Sequence, residues 1–110
     1  MEALAVVLNS PEDLAVRTVG LTAPGDADVV VDIGWSAIST GTERLLFQGR
    51  MPPFPGLGYP LVPGYESVGR IVSAGPAHEQ RIGETVFVPG ATCYGEIRGL
   101  FGGASSRVVL

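Results

Sequence analysis

The sequence predicts a mainly β domain, a barrel or sandwich of six or seven short strands with one small helix. Sixteen glycines and nine prolines divide the 110 residues into short segments. Apolar residues make up 45% of the chain and charged residues 16%, a balance typical of a compact globular protein. Because 110 residues fall within the size of one domain, we expect a single domain over residues 1–110.

Three strands are predicted in the N-terminal third. Leu4–Leu8 is an apolar run that ends at a turn cluster, and Leu14–Leu21 is a weaker second run. Ala23–Asp26 has the proline and glycine of a tight reversal. Apolar and polar residues then alternate from residue 29 to 37, which predicts a strand with one apolar face. That face consists of Val29, Val31, Ile33, Trp35 and Ala37.

A short helix follows the third strand. Thr40 and Glu43 have the spacing of a capping box, in which each side chain satisfies a free backbone N–H group. Arg44–Gln48 would complete one or two helical turns, and Gly49 would end them.

A proline-rich loop extends from residue 51 to 63. Its prolines and glycines prevent regular structure and give a stiff, extended segment. Its large apolar side chains could present a surface to a flat apolar ligand, or they could pack onto their own domain. The loop residues that we predict to contact substrate are Met51, Phe54, Leu57 and Tyr59.

The C-terminal half predicts three further strands. These are Glu66–Ser73, Glu84–Val88 and a last strand that begins at Arg107. Residues 77–83 read as a polar turn and residues 91–103 as a glycine-rich loop. Because the sequence stops within an apolar strand, we expect it to be part of a longer protein.

Composition argues against several classes of function. The net charge is −4 and the arginines are scattered, so we expect no nucleic-acid binding. No apolar run approaches the roughly 20 residues of a membrane span, and the N-terminus does not resemble a signal peptide. We therefore expect a cytoplasmic protein. Cys93 is the only cysteine, which excludes an internal disulfide, and with His78 it matches no zinc spacing.

The better candidates for catalytic residues lie at the two ends of the long segment between the third and fourth predicted strands. Thr42 stands at the predicted helix start, and Tyr65 and Glu66 stand where the chain returns to a strand. Loops anchored at two points of a scaffold commonly form cleft walls. The alternatives are structural, because the threonine and its neighbours could serve only in capping and Glu66 could pair with Arg44 or Arg50.

The order of these motifs resembles the N-terminal catalytic domain of zinc-type medium-chain alcohol dehydrogenases. The resemblance rests on Asp28–Val31, Ile38–Glu43, Pro63–Glu66, Arg81–Val86 and Gly103–Val109. It implies a GroES-like fold, a partly open β-barrel with one or two short helices. It also implies an NAD-binding Rossmann domain, which this chain lacks because no G-x-G-x-x-G follows a strand. We therefore expect the 110 residues alone to be inactive.

The chain departs from this family at the catalytic metal. Thr40 and Tyr65 occupy the positions of the zinc-binding cysteine and histidine, and only the carboxylate of Glu66 is retained. Hydroxyl groups are poor ligands for zinc, so we expect no catalytic zinc. The resemblance assigns to Thr42 the hydroxyl that relays the substrate proton. Our hypothesis adds Tyr65 to this relay, with Glu66 and Glu43 orienting it.

Longer stretches resemble one branch of the superfamily. STGTE, GRMPPFPGLGYPLVPGYE and RGLFGGAS are similar to dehydrogenases that act on chlorophyllide-type tetrapyrroles in bacteriochlorophyll biosynthesis. This implies NAD-dependent oxidation of a 3-hydroxyethyl group to acetyl, and a homodimer of the full-length enzyme is compatible with it. The alternatives are a zinc-free quinone oxidoreductase-like domain and a non-catalytic GroES-like binding module.

Overall fold

The computed structural model describes residues 1–110 as two packed, open β-sheets with one α-helix and one 3₁₀ helix. The helices are α1 (Thr40–Gln48) and the 3₁₀ helix Pro76–Arg81. The strands are β1 (Glu2–Ser10), β2 (Asp13–Gly20), β3 (Val29–Ser36), β4 (Leu61–Val62), β5 (Ser67–Ala74), β6 (Thr85–Val88), β7 (Arg98–Gly99) and β8 (Arg107–Val109). The predicted mainly β class is confirmed. Neither helix is long and apolar enough to cross a membrane.

The two sheets have the strand orders β2-β1-β4-β7 and β6-β5-β3-β8. Neighbouring strands are antiparallel except for β4 and β7, which are parallel. An isolated bridge between Ala5 and Ser105 links β1 to the segment just before β8. The facing sides of the sheets enclose one main core. Its most deeply buried side chains are Val7, Val30, Val31, Val62, Ile71, Val88 and Val108.

The strand predicted from residue 29 exists, but its predicted single apolar face is wrong. Val30 and Val31 are both buried, at 1% and 0% exposure, whereas Trp35 is 81% exposed. The pairing of β3 with β5 shifts register twice, between Val30 and Val31 and again between Ile33 and Trp35. The first shift leaves Val72 of β5 without a partner and the second leaves Gly34 of β3 without one, so a simple alternation of faces does not hold along the pair.

Helix α1 ends as predicted and begins differently. Gly49 adopts a left-handed conformation, with φ 70° and ψ 25°, and its N–H donates to the carbonyl of Leu46 at 3.2 Å. The N-cap is Ser39, which makes no side-chain capping bond. The predicted capping box is therefore wrong, because Thr40 already lies within the helix instead of at its cap.

Three segments are more regular than predicted. The polar turn at 77–83 is largely the 3₁₀ helix. The proline-rich loop before β5 contains the two-residue strand β4, and the glycine-rich loop after β6 contains the two-residue strand β7. Strand β7 fits because glycine permits close backbone approach, and a Cβ at Gly99 would lie 1.9 Å from the carbonyl oxygen of Ala91. The carbonyl of Val62 accepts from the N–H groups of both Leu100 and Gly102, at 2.9 and 2.8 Å.

Candidate functional site

The segment between β3 and β5, which carries the predicted site, leaves and re-enters the sheet at adjacent points. Ser36 at the end of β3 pairs with Ser67 at the start of β5. One residue further, the N–H of Ala37 donates to the carbonyl of Glu66 at 2.8 Å. The segments that lead into α1 and out of the proline-rich loop therefore lie side by side.

The returning segment is held in place by the glycine-rich stretch before β8. Gly103 N–H donates to the carbonyl of Gly64 at 2.8 Å, and the buried Ser67 hydroxyl donates to the carbonyl of Gly103 at 2.9 Å. Gly64 has φ 99°, and a Cβ there would lie 2.8 Å from the backbone nitrogen of Ala104. Only glycine suits this position, so the backbone next to Tyr65 is fixed on both sides.

Tyr65 is half-buried and its ring meets Phe101 edge to face. The ring centroids are 5.5 Å apart and the planes are inclined by 84°. Such a contact orients the ring in addition to burying it. Neither the Tyr65 hydroxyl nor that of half-buried Thr42 takes part in a hydrogen bond within the chain, so both remain available to a substrate.

Glu43 has an unusual environment for a carboxylate. It is half-buried, and its Oε2 atom is buried without a hydrogen-bond partner. Burial raises the pKa of Glu43 above its ordinary value, the charge of Glu66 adds to this rise, and a hydrogen bond with the Ser39 backbone opposes it.

Glu66 is exposed and forms no salt bridge, so the alternative that it pairs with Arg44 or Arg50 is wrong. The salt bridges of the chain are Arg81–Glu84 and Asp32–Arg107.

The largest cleft lies beside α1 and has a volume of about 810 Å³. Thr40 and Glu43 are part of its wall, but Thr42, Tyr65 and Glu66 are not. Sequence reasoning missed most of the lining. A signal was present, because an unbroken apolar run such as that of β1 makes both faces of a strand apolar. The lining includes Val6, Leu8, Leu14, Ser36, Ile38, Arg44, Phe47, Pro63 and Ala104.

Most of the predicted substrate-binding loop packs onto its own domain. Met51, Leu57 and Tyr59 lie against a second buried cluster, and the Tyr59 hydroxyl donates to the carbonyl of Leu46. Phe54 is 37% exposed. Contact of these four side chains with a substrate stays a prediction, and none of them lines the 810 Å³ cleft. The second cluster consists of Leu8, Leu46 and Leu61.

The residues at the family's zinc positions do not fit zinc. No group of three or more His, Cys, Asp or Glu side chains is arranged to hold a metal ion. Thr40 and Tyr65 offer neutral hydroxyls, which are weaker ligands for zinc than thiolate and imidazole. The one cysteine, Cys93, is buried, and burial raises the pKa of its thiol, which disfavours the thiolate.

Residues 25–110 match the alcohol dehydrogenase GroES-like domain family, and the chain belongs to this family. Over 99% of its length it is 56% identical to the 2-desacetyl-2-hydroxyethyl bacteriochlorophyllide A dehydrogenase of Rhodobacter capsulatus. It is 53% identical, also over 99%, to the enzyme of the same name from Cereibacter sphaeroides. The chain spans 35% and 36% of the lengths of these two relatives.

Solved structures of oxidoreductases share the fold. The chain superposes on an E. coli CFT073 alcohol dehydrogenase complexed with NADH at a TM-score of 0.77 and 22% identity, over 99% of this chain and 36% of that one. A dehydrogenase from Sinorhizobium meliloti 1021 bound to NADP matches at a TM-score of 0.72 and 27% identity, over 100% and 36%. The predicted GroES-like fold is thus confirmed.

Proposed function

We propose that this chain is the catalytic domain of an NAD-dependent dehydrogenase that oxidises the 3-hydroxyethyl group of a bacteriochlorophyllide to acetyl. The observation that carries the proposal is the 56% and 53% identity, over 99% of the chain, to two enzymes named for this substrate. The share of those enzymes that the chain spans, about a third, leaves room for the domain that would bind the cofactor.

The reaction removes a hydride from the carbinol carbon and a proton from its hydroxyl group. NAD⁺, when bound, accepts the hydride. The chain must then take the proton and stabilise the developing alkoxide. Thr42 and Tyr65 are suited to this relay because both residues are half-buried and their hydroxyls make no hydrogen bond within the chain.

The two carboxylates support this relay. Glu43 lies in a desolvated position on α1, and Glu66 follows Tyr65 directly on the returning segment. We assign to both carboxylates a positioning role.

The proposal includes catalysis without zinc. The donor set of Thr40, Tyr65 and Glu66 supports this, because it contains a single charged oxygen ligand and no sulfur or imidazole. Elemental analysis of the whole dehydrogenase, purified without chelators, tests it directly. We expect less than one equivalent of zinc and full activity in the presence of a chelator, and loss of activity on chelation would contradict the proposal.

A substrate assay tests the reaction itself. In one assay the whole dehydrogenase is incubated with NAD and a hydroxyethyl chlorin. In a second assay it is incubated with the reduced cofactor and a simple quinone. We expect formation of the acetyl pigment with reduction of NAD and no quinone turnover. Quinone reduction without pigment oxidation would instead assign the chain to a quinone oxidoreductase.

A further inference from the structure

The hairpin of β1 and β2 is apolar on both faces. One face, with Ala3, Ala5 and Val7, is buried in the main core. The opposite face carries Leu14 and Val16, which are 54% and 69% exposed. Two strands with water on one side normally show polar residues there, so this face is expected to meet an apolar partner.

The exposed face of the hairpin continues into the wall of the large cleft. A smaller cavity of about 270 Å³ adjoins the 810 Å³ cleft, and the two share Val6, Ser36 and Ala104. We call the combined surface the hairpin groove. Its main apolar residues are Leu4, Leu14, Val16, Trp35, Ile38 and Phe47, and each of them is at least 37% exposed.

The charged groups of the groove, Glu43 and Arg44, both lie at its α1 end, and the polar residues of the smaller cavity are the uncharged Ser36, Ser105 and Ser106. The Oε2 atom of Glu43 is buried there without a hydrogen-bond donor. Arg44 is the only basic residue of the lining, is exposed and forms no salt bridge. A ligand that matches this surface is large and apolar, with a hydroxyl donor and a carboxylate at its periphery.

We propose that the hairpin groove binds the macrocycle of the tetrapyrrole, so that a carboxylate arm reaches Arg44 and the hydroxyethyl group extends beyond the Glu43 end of the groove, along α1 toward Thr42. This inference rests on the proposed function. It assigns the apolar contact with the substrate to the hairpin groove instead of the proline-rich loop. The cleft volume of about 810 Å³ is within the range of sites for large cofactors, whereas the loop offers only Phe54 in an exposed position.

Trp35 makes the groove observable because it is the only tryptophan and it lines the smaller cavity. A chlorin that binds beside it should quench its emission. The 110-residue chain is titrated with a hydroxyethyl chlorophyllide, and the quenching of Trp35 and the shift of the pigment absorption are followed together. Circular dichroism verifies that each variant is folded.

Two groove variants are compared with two controls. Leu14→Asp and Ile38→Asp place a charge on the proposed contact surface, and we expect each to weaken binding about tenfold or more. Phe87→Asp alters a residue on β6 that is 60% exposed and lies outside the groove. The second control, Val72→Asp, alters a residue on β5 that is 40% exposed and also lies outside the groove. Both controls should keep the affinity of the unsubstituted chain within about twofold. Phe54→Asp, on the proline-rich loop, distinguishes binding at the loop from binding at the groove.

Two results would overturn the inference. If Phe54→Asp weakens binding and the groove variants do not, the pigment binds at the loop. If Trp35 emission depends on protein concentration and not on pigment, and Ile38→Asp converts a dimer to a monomer, the groove is occupied by a second copy of the chain.

The proposed function fails separately. If the Leu14→Asp and Ile38→Asp variants of the whole dehydrogenase oxidise the pigment with an unchanged KM, the groove is not the binding site, and the proposed function is retained. If the quenching of Trp35 depends on the groove residues but the whole dehydrogenase does not oxidise the pigment, the groove is retained as the binding site and the proposed function is contradicted.

Discussion

At Tyr65, one oxygen atom distinguishes a catalytic group from an aromatic packing residue. Tyr65→Phe keeps the ring that contacts Phe101 and removes only the hydroxyl. In the whole dehydrogenase we expect kcat to fall about 10²-fold with little change in KM, since a lost acid–base group affects the chemical step. Tyr94→Phe is the matched control, because the hydroxyl of the buried Tyr94 donates to the backbone carbonyl of Gly102 and should matter for stability alone. Equal kcat values for Tyr65→Phe and the unsubstituted enzyme would exclude the proposed relay.

Glu43 should make the stability of the domain depend on pH. Burial raises its pKa above the ordinary 4.5, so the folded state holds the proton more tightly than the unfolded state. Stability is therefore highest below the ordinary pKa and falls as pH rises through the raised pKa. Glu43→Gln removes this dependence, and urea unfolding from acidic to neutral pH should show the variant gaining stability relative to the native chain.

The control for this measurement is Glu96→Gln, which alters an exposed carboxylate. We expect it to follow the native pH dependence. A constant difference between Glu43→Gln and the native chain at every pH would show that the Glu43 carboxyl is well solvated.

Single residues were predicted from the sequence only where the signal is local. Gly49 was identified as the end of α1, because a glycine after a helical run is a local signal. The orphan oxygen of Glu43 and the exposure of Trp35 could not be predicted. Desolvation of Glu43 depends on neighbours from several segments, and exposure of Trp35 depends on a register shift in β3.

Helix α1 offers an element-scale test in its two glycines. Gly49 has φ 70°, and a Cβ there would lie 2.8 Å from Pro11, so Gly49→Ala should destabilise the domain by about 1 kcal/mol or more. Gly41 has open space around it and helical geometry. Gly41→Ala should stabilise by about 0.5 kcal/mol because alanine favours the helix. Chemical denaturation of both variants measures the difference, and destabilisation of equal size would contradict this account of α1.

The elements that the sequence predicted are those with enough length to show a pattern. Strands β1, β2, β5, β6 and β8 were recognised from apolar runs next to turn residues, and β3 from its alternation of apolar and polar residues. Strands β4 and β7 contain two residues each, and they are defined by pairing alone, β4 with β1 and β7, and β7 with β4. A local pattern cannot reveal such a pairing, since its partner is more than 30 residues away along the chain.

Across the whole molecule, the sequence predicted which residues are apolar but not which of them face solvent. The run Leu4–Leu8 supplies side chains to both faces of β1, and only the packing of the two sheets decides that Ala5 and Val7 are buried while Leu4 is exposed. The two ends of the segment between β3 and β5 do lie side by side, because the N–H of Ala37 donates to the carbonyl of Glu66, and a functional site at these ends stays a prediction. The hairpin groove was missed because it combines the β1–β2 hairpin with segments distant from it in sequence, which are the end of β3, α1 and the stretch before β8.

If a separate domain binds the cofactor, as proposed, binding of the pigment and catalysis should be separable. The 110-residue chain consists of antiparallel sheets and short helices and has no glycine-rich turn between a strand and a helix, which is the usual means of holding a dinucleotide. With NAD and a hydroxyethyl chlorophyllide, the chain alone should therefore quench Trp35 on addition of pigment and yet give no absorbance increase from NADH. The whole dehydrogenase, assayed in parallel, is the positive control. NADH formation by the isolated chain would mean that these residues bind the nicotinamide themselves, and the groove beside α1 would then have to hold cofactor and pigment together.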